Sequence, residues 1–435
     1  MKYLVIALIG ALASVLSNKG IAVFNDGFRP IVGQYFNKEI SKKELAAMSF
    51  AISFGLVIGF GIPTSIAASI ILIHCLLLTT DMIGSFCPDT KVGTIISAVI
   101  GAGYGLAILA GLEVIVKLFG MMPYNFTSDL GSVSGYVTVA FAVFPAVGVA
   151  YQHGFKKGMI TGGVTVLAFY LVKKFGVFSI GGNSVALNPE GMAMLVGMIM
   201  MLVFAAQVKG ESNSNEALTI GFSANVSRIR KSGFLLAIMG GLIAAGTSLS
   251  IIAGDPASLA LLAEGEYMNA ALTAVARSIG FIPLVFTTAI VTGVYGVAGC
   301  TFVFVVGLLL HGNPLVAFVV GALVMVVEIA LIDLFAKGMD KFPGVKDMGE
   351  YVRTSMNKVL EVALLAGIVA AEKMSVAASG YTGIGALFVI GAFLLNKKAK
   401  KPIVDLAVGP VACIVFGVLL SLFLLIGLIA VPAAG

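Results

Sequence analysis

The chain has 435 residues, 59% of them hydrophobic and 11% charged, with a formal net charge of +6; a soluble domain is about 45–50% apolar and about 25% charged. Mean hydropathy is +1.07, and apolar runs recur at the roughly 20-residue length that a bilayer core of about 30 Å requires. These features exclude a soluble enzyme, a disordered chain, a coiled coil and a secreted disulfide scaffold, and because the runs are continuous rather than alternating they exclude an outer-membrane barrel.

In chain order the pattern predicts an all-α, polytopic integral membrane protein with about fourteen transmembrane helices, broken or re-entrant segments among them, and a transporter-like fold. The predicted cores are 3–24, 45–62, 64–86, 93–116, 134–151, 158–173, 191–208, 233–254, 267–282, 285–311, 314–336, 354–372, 379–396 and 406–431. The first begins like a signal peptide, with Lys2, an apolar run and Ala11-Leu12-Ala13. Cleavage there would leave the basic 25–44 loop outside, so the segment is read as a retained helix. The stretch 267–311, with Arg277 and Pro283, reads either as two helices with a tight turn or as a broken helix with a re-entrant piece. The polar, then basic, connection 209–232 divides an N-terminal transmembrane half, 1–208, from a C-terminal half, 233–435. A faint repeat matches 97–107 with 288–298 at four of eleven positions, and in this topology the two segments run the same way.

Lys and Arg mark the cytoplasmic side of a membrane protein. With the N-terminus outside, twenty of the 27 basic residues fall on inner connections, Arg29 and the 228–231 cluster among them, and five fall outside. The 255–266 loop holds Asp255, Glu264 and Glu266 and no base, and is read as outside. Both termini are then periplasmic, in a bacterial inner membrane. The positive charge marks topology, so no nucleic-acid partner is expected. Cys75, Cys87, Cys300 and Cys413 read as small buried hydrophobes, and the scattered His74, His153 and His311 form no metal-site pattern.

Polar groups within spans are the informative residues. A charge at the bilayer centre costs about 2.5–3.5 kcal/mol on insertion scales, so it turns toward a cavity or a partner. Arg277, with Ser278 beside it, reads either as a fixed positive charge for an anionic solute or as one half of a structural ion pair. Asp81 is a candidate partner for it, with the Thr79 and Thr80 hydroxyls lining the same cavity; alternatively Asp81 ends its helix. Glu328 and Glu361 read as mid-span carboxylates on neighbouring helices, either carrying a coupling proton or making interhelical bonds. Asp26 and Arg29, three apart in Asn25-Asp26-Gly27-Phe28-Arg29-Pro30, form either a capping pair at a turn or a site element dipping into the membrane.

Several of these stretches resemble the YhfT family of bacterial inner-membrane proteins. They are 22–30, Thr80-Asp81-x-x-Gly84, Phe144-Pro145 with Tyr151-Gln152, Arg277-x-x-Gly280-Phe281, 292–299 and 361–365, and the resemblance spans essentially the whole chain. It implies a transport protein encoded near enzymes of small-molecule metabolism, and it carries no substrate and no site residues. The family pattern has His at the position of Asn25, which makes Asn25 the weaker member of its motif.

The expected function is secondary active transport of a small polar, anionic metabolite by alternating access, elevator-like within a homodimer, coupled to H+ or Na+. Arg277, Ser278, Thr79, Thr80, Asp81, Asp26 and Arg29 would frame the substrate, and Glu328 or Glu361 would carry the proton. No cofactor and no enzymatic activity are expected; the partners are the solute, membrane lipids and a second copy. The rival readings are the membrane component of a phosphotransferase-like sugar permease, an intramembrane enzyme, and a scaffold without flux.

Overall fold

Backbone N–H and C=O groups in hydrocarbon must be satisfied within the protein. In the computed structural model the chain does this with helices and three two-stranded ladders. The structure describes residues 1–36, 38–180, 183–187, 189–208, 216–339, 348, 351, 354–355, 358–359, 361–400, 402 and 405–430. Part of the 209–232 connection, 209–215, thus lies outside the described residues, as do Lys341, Lys346 and Arg353 of the topology count.

The first half opens with α1 (Lys2–Asn18), β1 (Ala22–Val23), α2 (Arg29–Phe36) and α3 (Lys42–Leu56). One π turn, Val57–Gly61, leads to α4 (Ile62–Ala68), β2 (Ile71–Leu72), α5 (Ile73–Phe86) and the long α6 (Lys91–Gly120). Three further helices follow: α7 (Thr127–His153), α8 (Phe155–Phe175) and, after the hairpin β3 (Val177–Ile180) and β4 (Asn183–Ala186), α9 (Pro189–Ala206). Helix α10 (Glu216–Lys231) forms the connection. The second half then runs α11 (Gly233–Ser248), β5 (Ile252–Ala253), α12 (Pro256–Ala263), α13 (Tyr267–Thr292), β6 (Tyr295–Gly296), α14 (Phe302–Leu309) and α15 (Pro314–Met339). It ends with α16 (Val362–Ser379), α17 (Ile384–Lys398) and α18 (Asp405–Leu425).

Apart from the π turn with α4 and the β3–β4 hairpin, the described elements of the second half follow the order of the first. Each two-residue strand is entered through a residue of positive φ two places earlier: Gly20, Ser69, Ser250 and Gly293. Strand β1 pairs in parallel with β6, and β2 with β5. A two-fold operation exchanging the halves maps one pair onto the other. Packing follows the same rule: α1 lies on α5 and α6 as α11 lies on α14 and α15, and α7–α9 form a triangle matched by α16–α18. This duplication is not the one suggested by 97–107 and 288–298. The first of those segments sits inside α6, and the second spans the end of α13 and β6; their shared Gly and Ala serve different contacts.

Small residues set the distances in this core. A Cβ at Gly10 would run into the carbonyl oxygen of Gly101, and one at Gly240 would lie 3.0 Å from that of Gly321. The α1–α6 and α11–α15 crossings are therefore backbone against backbone.

Among the described residues six helices are long and apolar enough to cross a membrane, α6, α8, α9, α16 and most of α15 and α18, or up to seven if the α10–α11 pair, bent by 62°, counts as one. The chain is a helical membrane protein. Two segment expectations are corrected. First, 267–311 is interrupted, as the broken-helix reading has it, but the break comes later: one helix runs through residue 292 and the short α14 follows, with the turn at Gly293 and not near Pro283. Second, the connection is partly helical: Arg228 donates to the Gly20 carbonyl at 3.0 Å and stacks on the Phe36 ring at 3.7 Å. Helix α10 thus straps the two halves instead of looping free.

Candidate functional site

Each parallel strand pair lies where two helices are interrupted, and an interrupted helix leaves unpaired N–H groups and a partial positive charge at its new N-terminus. The breaks after β1 and β6 enclose a cavity of about 110 Å³ together with α3, α5 and α13. Its wall carries Asn25, Asp26 and Arg29 from the first break, 296–299 and Thr301 from the other, and Arg277 from α13. Phe24, Phe60 and Phe281 lie among its apolar lining residues. A second cavity of about 70 Å³ shares Phe60, His74, Arg277 and Phe281 and is lined further by Asp255 and Glu190.

Arg277 is 8% exposed. Its Nη1 donates to the Gly254 carbonyl at 2.7 Å, while Nε and Nη2 make no hydrogen bond. Its charge partner is Asp255, with Oδ2 3.5 Å from Nε. Asp255 is not in an outer loop: it is buried and caps α12, accepting from the Ser258 N–H at 2.8 Å and from the Ser258 hydroxyl at 2.7 Å. The phenyl rings of Phe281 and Phe304 lie 5.4 and 5.6 Å from the guanidinium. Ser278 shares a hydrogen bond of 2.8 Å with Thr301, whose backbone also has positive φ.

Arg29 is 2% exposed, so it is not a topology mark. It pairs with Asp26 and donates through Nη1 to Thr288 Oγ1 at 2.5 Å. The Asp26–Arg29 pair of the sequence reading is formed, and both residues lie on the cavity wall.

Asp81 is not the partner of Arg277. It is fully buried on α5 and accepts from the Phe24 N–H at 2.9 and 3.1 Å and from the Asn25 N–H at 2.9 Å, bracing the backbone of the first break. Thr79 and Thr80 do not line either cavity: Thr79 bonds the Cys75 carbonyl and the Tyr104 hydroxyl, and Thr80 the Leu77 carbonyl. Glu328 does for the second break what Asp81 does for the first. Its Oε2 accepts from the Tyr295 hydroxyl at 2.9 Å and the Cys300 N–H at 2.7 Å, and its Oε1 has no partner. Glu361 is not mid-span. It stands exposed at the start of α16, 2.9 Å from Lys358.

The duplication explains the placing of Arg277. Ser53 and Arg277 each stand sixteen residues before the left-handed residue of the following break, and Asn25 and Asp255 each five after the left-handed residue of theirs. Asn25 donates to Ser53 at 3.2 Å where Asp255 faces Arg277. One contact occurs twice, neutral in one half and ionic in the other.

A family model described as YhfT, protein of unknown function, matches residues 2–429. The chain belongs to the YhfT family. The uncharacterized protein YhfT of Escherichia coli (strain K12) is 33% identical over 451 aligned positions, covering 100% of this chain and 99% of that one. No solved structure matches. In this YhfT protein, sequence reasoning missed Asp255, which looked like a loop acid. It also missed His74, whose ring meets Phe24 and Phe60 edge-on at 5.0 and 5.2 Å. For Asp255 a signal existed in Asp255-Pro256-x-Ser258, a helix cap with Pro at its first position.

Proposed function

We propose that this protein is a secondary active transporter of a small anionic metabolite across the bacterial inner membrane, coupled to H+ or Na+. The observation that carries the reading is the small cavity at the crossing of interrupted helices, lined by the buried Arg277, only one of whose three nitrogens makes a hydrogen bond. A buried cation with free N–H groups is costly unless an anion completes it. Interrupted helices meeting at a central site, in two halves exchanged by a two-fold operation, are what alternating access uses in other transporters.

In this reading each half crosses the bilayer seven times, in opposite senses, giving fourteen crossings with both ends outside. The cavity is exposed to one side and then the other as one set of helices moves within a homodimer, elevator-like. Arg277 holds the anion, Arg29, Asp26 and Ser278 shape the site around it, and Glu328 carries the coupling proton. Asp81 supports the wall. The protein works without a cofactor or covalent chemistry.

The test is uptake into proteoliposomes from a panel of labelled keto acids, sugar acids and amino acids. Arg277→Ala is expected to abolish uptake while folded protein is retained; wild-type uptake by that variant rejects the role. Reporter fusions at 215 and 345 are expected to read cytoplasmic, and a periplasmic signal at either rejects the fourteen-crossing topology.

A further inference from the structure

The basic run Ser227-Arg228-Ile229-Arg230-Lys231 closes helix α10, and the helix divides its members between two faces. Arg228 turns inward, to the Gly20 carbonyl at 3.0 Å and the Phe36 ring. Asn225, on the same side, donates to the Ile290 carbonyl at 3.0 Å and packs against Gly293, where a Cβ would come within 2.7 Å of its Oδ1. Val226 and Ile229 are buried. Gly20 and Gly293 are the left-handed residues that lead into β1 and β6, so α10 is pinned to both turns of that strand pair and holds a fixed position.

The opposite face is open. Ser223, Ser227 and Arg230 recur at i, i+4 and i+7, one stripe of a helix. With Val226 and Lys231 they line a cleft of about 380 Å³ that also meets Asp333 of α15. Arg230 and Lys231 are exposed, and neither forms an ion pair among the described residues. Two cations against one carboxylate leave the cleft net positive, with two hydroxyls beside them. Its height in the bilayer follows from its neighbours. The apolar α11 starts at Gly233, two residues beyond Lys231, and α10 bends away from it by 62°. Asp333 stands one turn from the end of the apolar stretch Pro314–Ala336. Charge is costly in hydrocarbon, so the cleft lies at the level of the lipid headgroups.

We propose that this cleft binds the phosphate of an anionic phospholipid, with Arg230 and Lys231 as its charge partners and Ser223 and Ser227 as hydroxyl donors. Basic pockets beside membrane helices take such headgroups. A phosphodiester carries one negative charge, which matches the surplus of one cation. A zwitterionic lipid brings an ammonium of its own into a cleft that is already positive, and a free phosphate lacks the acyl chains that hold a headgroup at this height. The other face of α10 holds the turns of the β1–β6 pair, so a lipid seated here braces the strands that wall the cavity. The site stands independently of the transport reading and of any substrate.

The test is a native mass-spectrometry titration of the purified protein, in a neutral detergent, with phosphatidylglycerol, phosphatidylcholine and glycerol 3-phosphate. Phosphatidylglycerol is expected to bind tightest, and the other two to be weaker by about tenfold or more. The double variant Arg230→Gln/Lys231→Gln is expected to weaken phosphatidylglycerol by a similar factor. Ser227→Asp leaves both bases in place and sets a negative charge in the cleft, and is expected to weaken it likewise. Lys173→Gln/Lys174→Gln alters an exposed basic pair at the end of α8 and is expected to change nothing. Equal retention of phosphatidylcholine, undiminished phosphatidylglycerol binding in the α10 variants, or an equal loss in the α8 variant overturns the assignment. Glycerol 3-phosphate binding as tightly as the lipid makes the cleft a soluble-phosphate site and overturns it too.

Discussion

Replacing Asp81 by Ala tests whether the first break is held by one carboxylate. Asp81 accepts from the N–H groups of Phe24 and Asn25, which lie in a part of the chain with no helical partners for them. Stranding a buried donor costs about 1–3 kcal/mol, so two donors put the loss at roughly 2–6 kcal/mol, a large part of the 5–15 kcal/mol that holds most domains folded. Asp81→Asn keeps one carbonyl oxygen and turns its amide toward the second donor, so about half the effect is expected. Equilibrium unfolding in mixed micelles, followed by loss of helical signal, measures both. Losses ordered Ala above Asn above wild type support the clamp. An Ala variant within about 1 kcal/mol of wild type refutes it, and shows the break to be held by β1–β6 pairing alone.

The remaining expectations follow from the same geometry. Tyr295→Phe removes a hydrogen bond to the Glu328 carboxylate and is expected to cost about 1.5–3 kcal/mol; a double-mutant cycle with Glu328→Gln that shows no coupling rejects the clamp on the second break. Gly101→Ala drives a methyl into the α1–α6 contact, whereas a methyl at Gly103 meets nothing within 4 Å. The first is expected to destabilise markedly and the second to stabilise by up to about 1 kcal/mol through helix propensity, with melting temperatures as the readout; the reverse order rejects the packing. At the aqueous end of α3, Ser41 and Glu44 form a reciprocal cap that holds the Glu44 carboxyl below its usual value of 4.5. Because the folded value is the lower one, that stabilisation is present above about pH 4.5 and is lost as pH falls through the folded value. Wild type and Glu44→Gln are therefore expected to converge in stability below that window; a gap unchanged down to pH 2.5 rejects the assignment.

The composition made the membrane class legible, and the cost of a mid-span charge drew attention to Arg277, which lines the cavity. Asn25 to Pro30 was legible as a break because Asp, Gly and Pro all favour a turn. The other three breaks were not. A two-residue strand has no period to detect, and Ser69 and Ser250 adopt positive φ without being glycine. Asp255 was misread because acidic residues near an apolar boundary look solvated; only the fold brings it to Arg277. Asp81 and Glu328 were legible as buried carboxylates but not as backbone clamps, since their partners are main-chain N–H groups far away in sequence, identical in every residue type except proline. Glu361 failed because the predicted span 354–372 placed it mid-helix, whereas α16 begins at Val362 with Glu361 as its cap.

The crossed pairing of strands also sets a timetable for synthesis. Ala22 pairs with Tyr295 and Ile71 with Ile252, so the first half leaves the ribosome with its breaks lacking the strands that complete them. At about 5–20 residues per second the wait is on the order of tens of seconds. In hydrocarbon, unsatisfied backbone groups are too costly to tolerate for that long. The N-terminal half must therefore stay with the insertion machinery, or keep its breaks in contact with water, until β5 and β6 arrive.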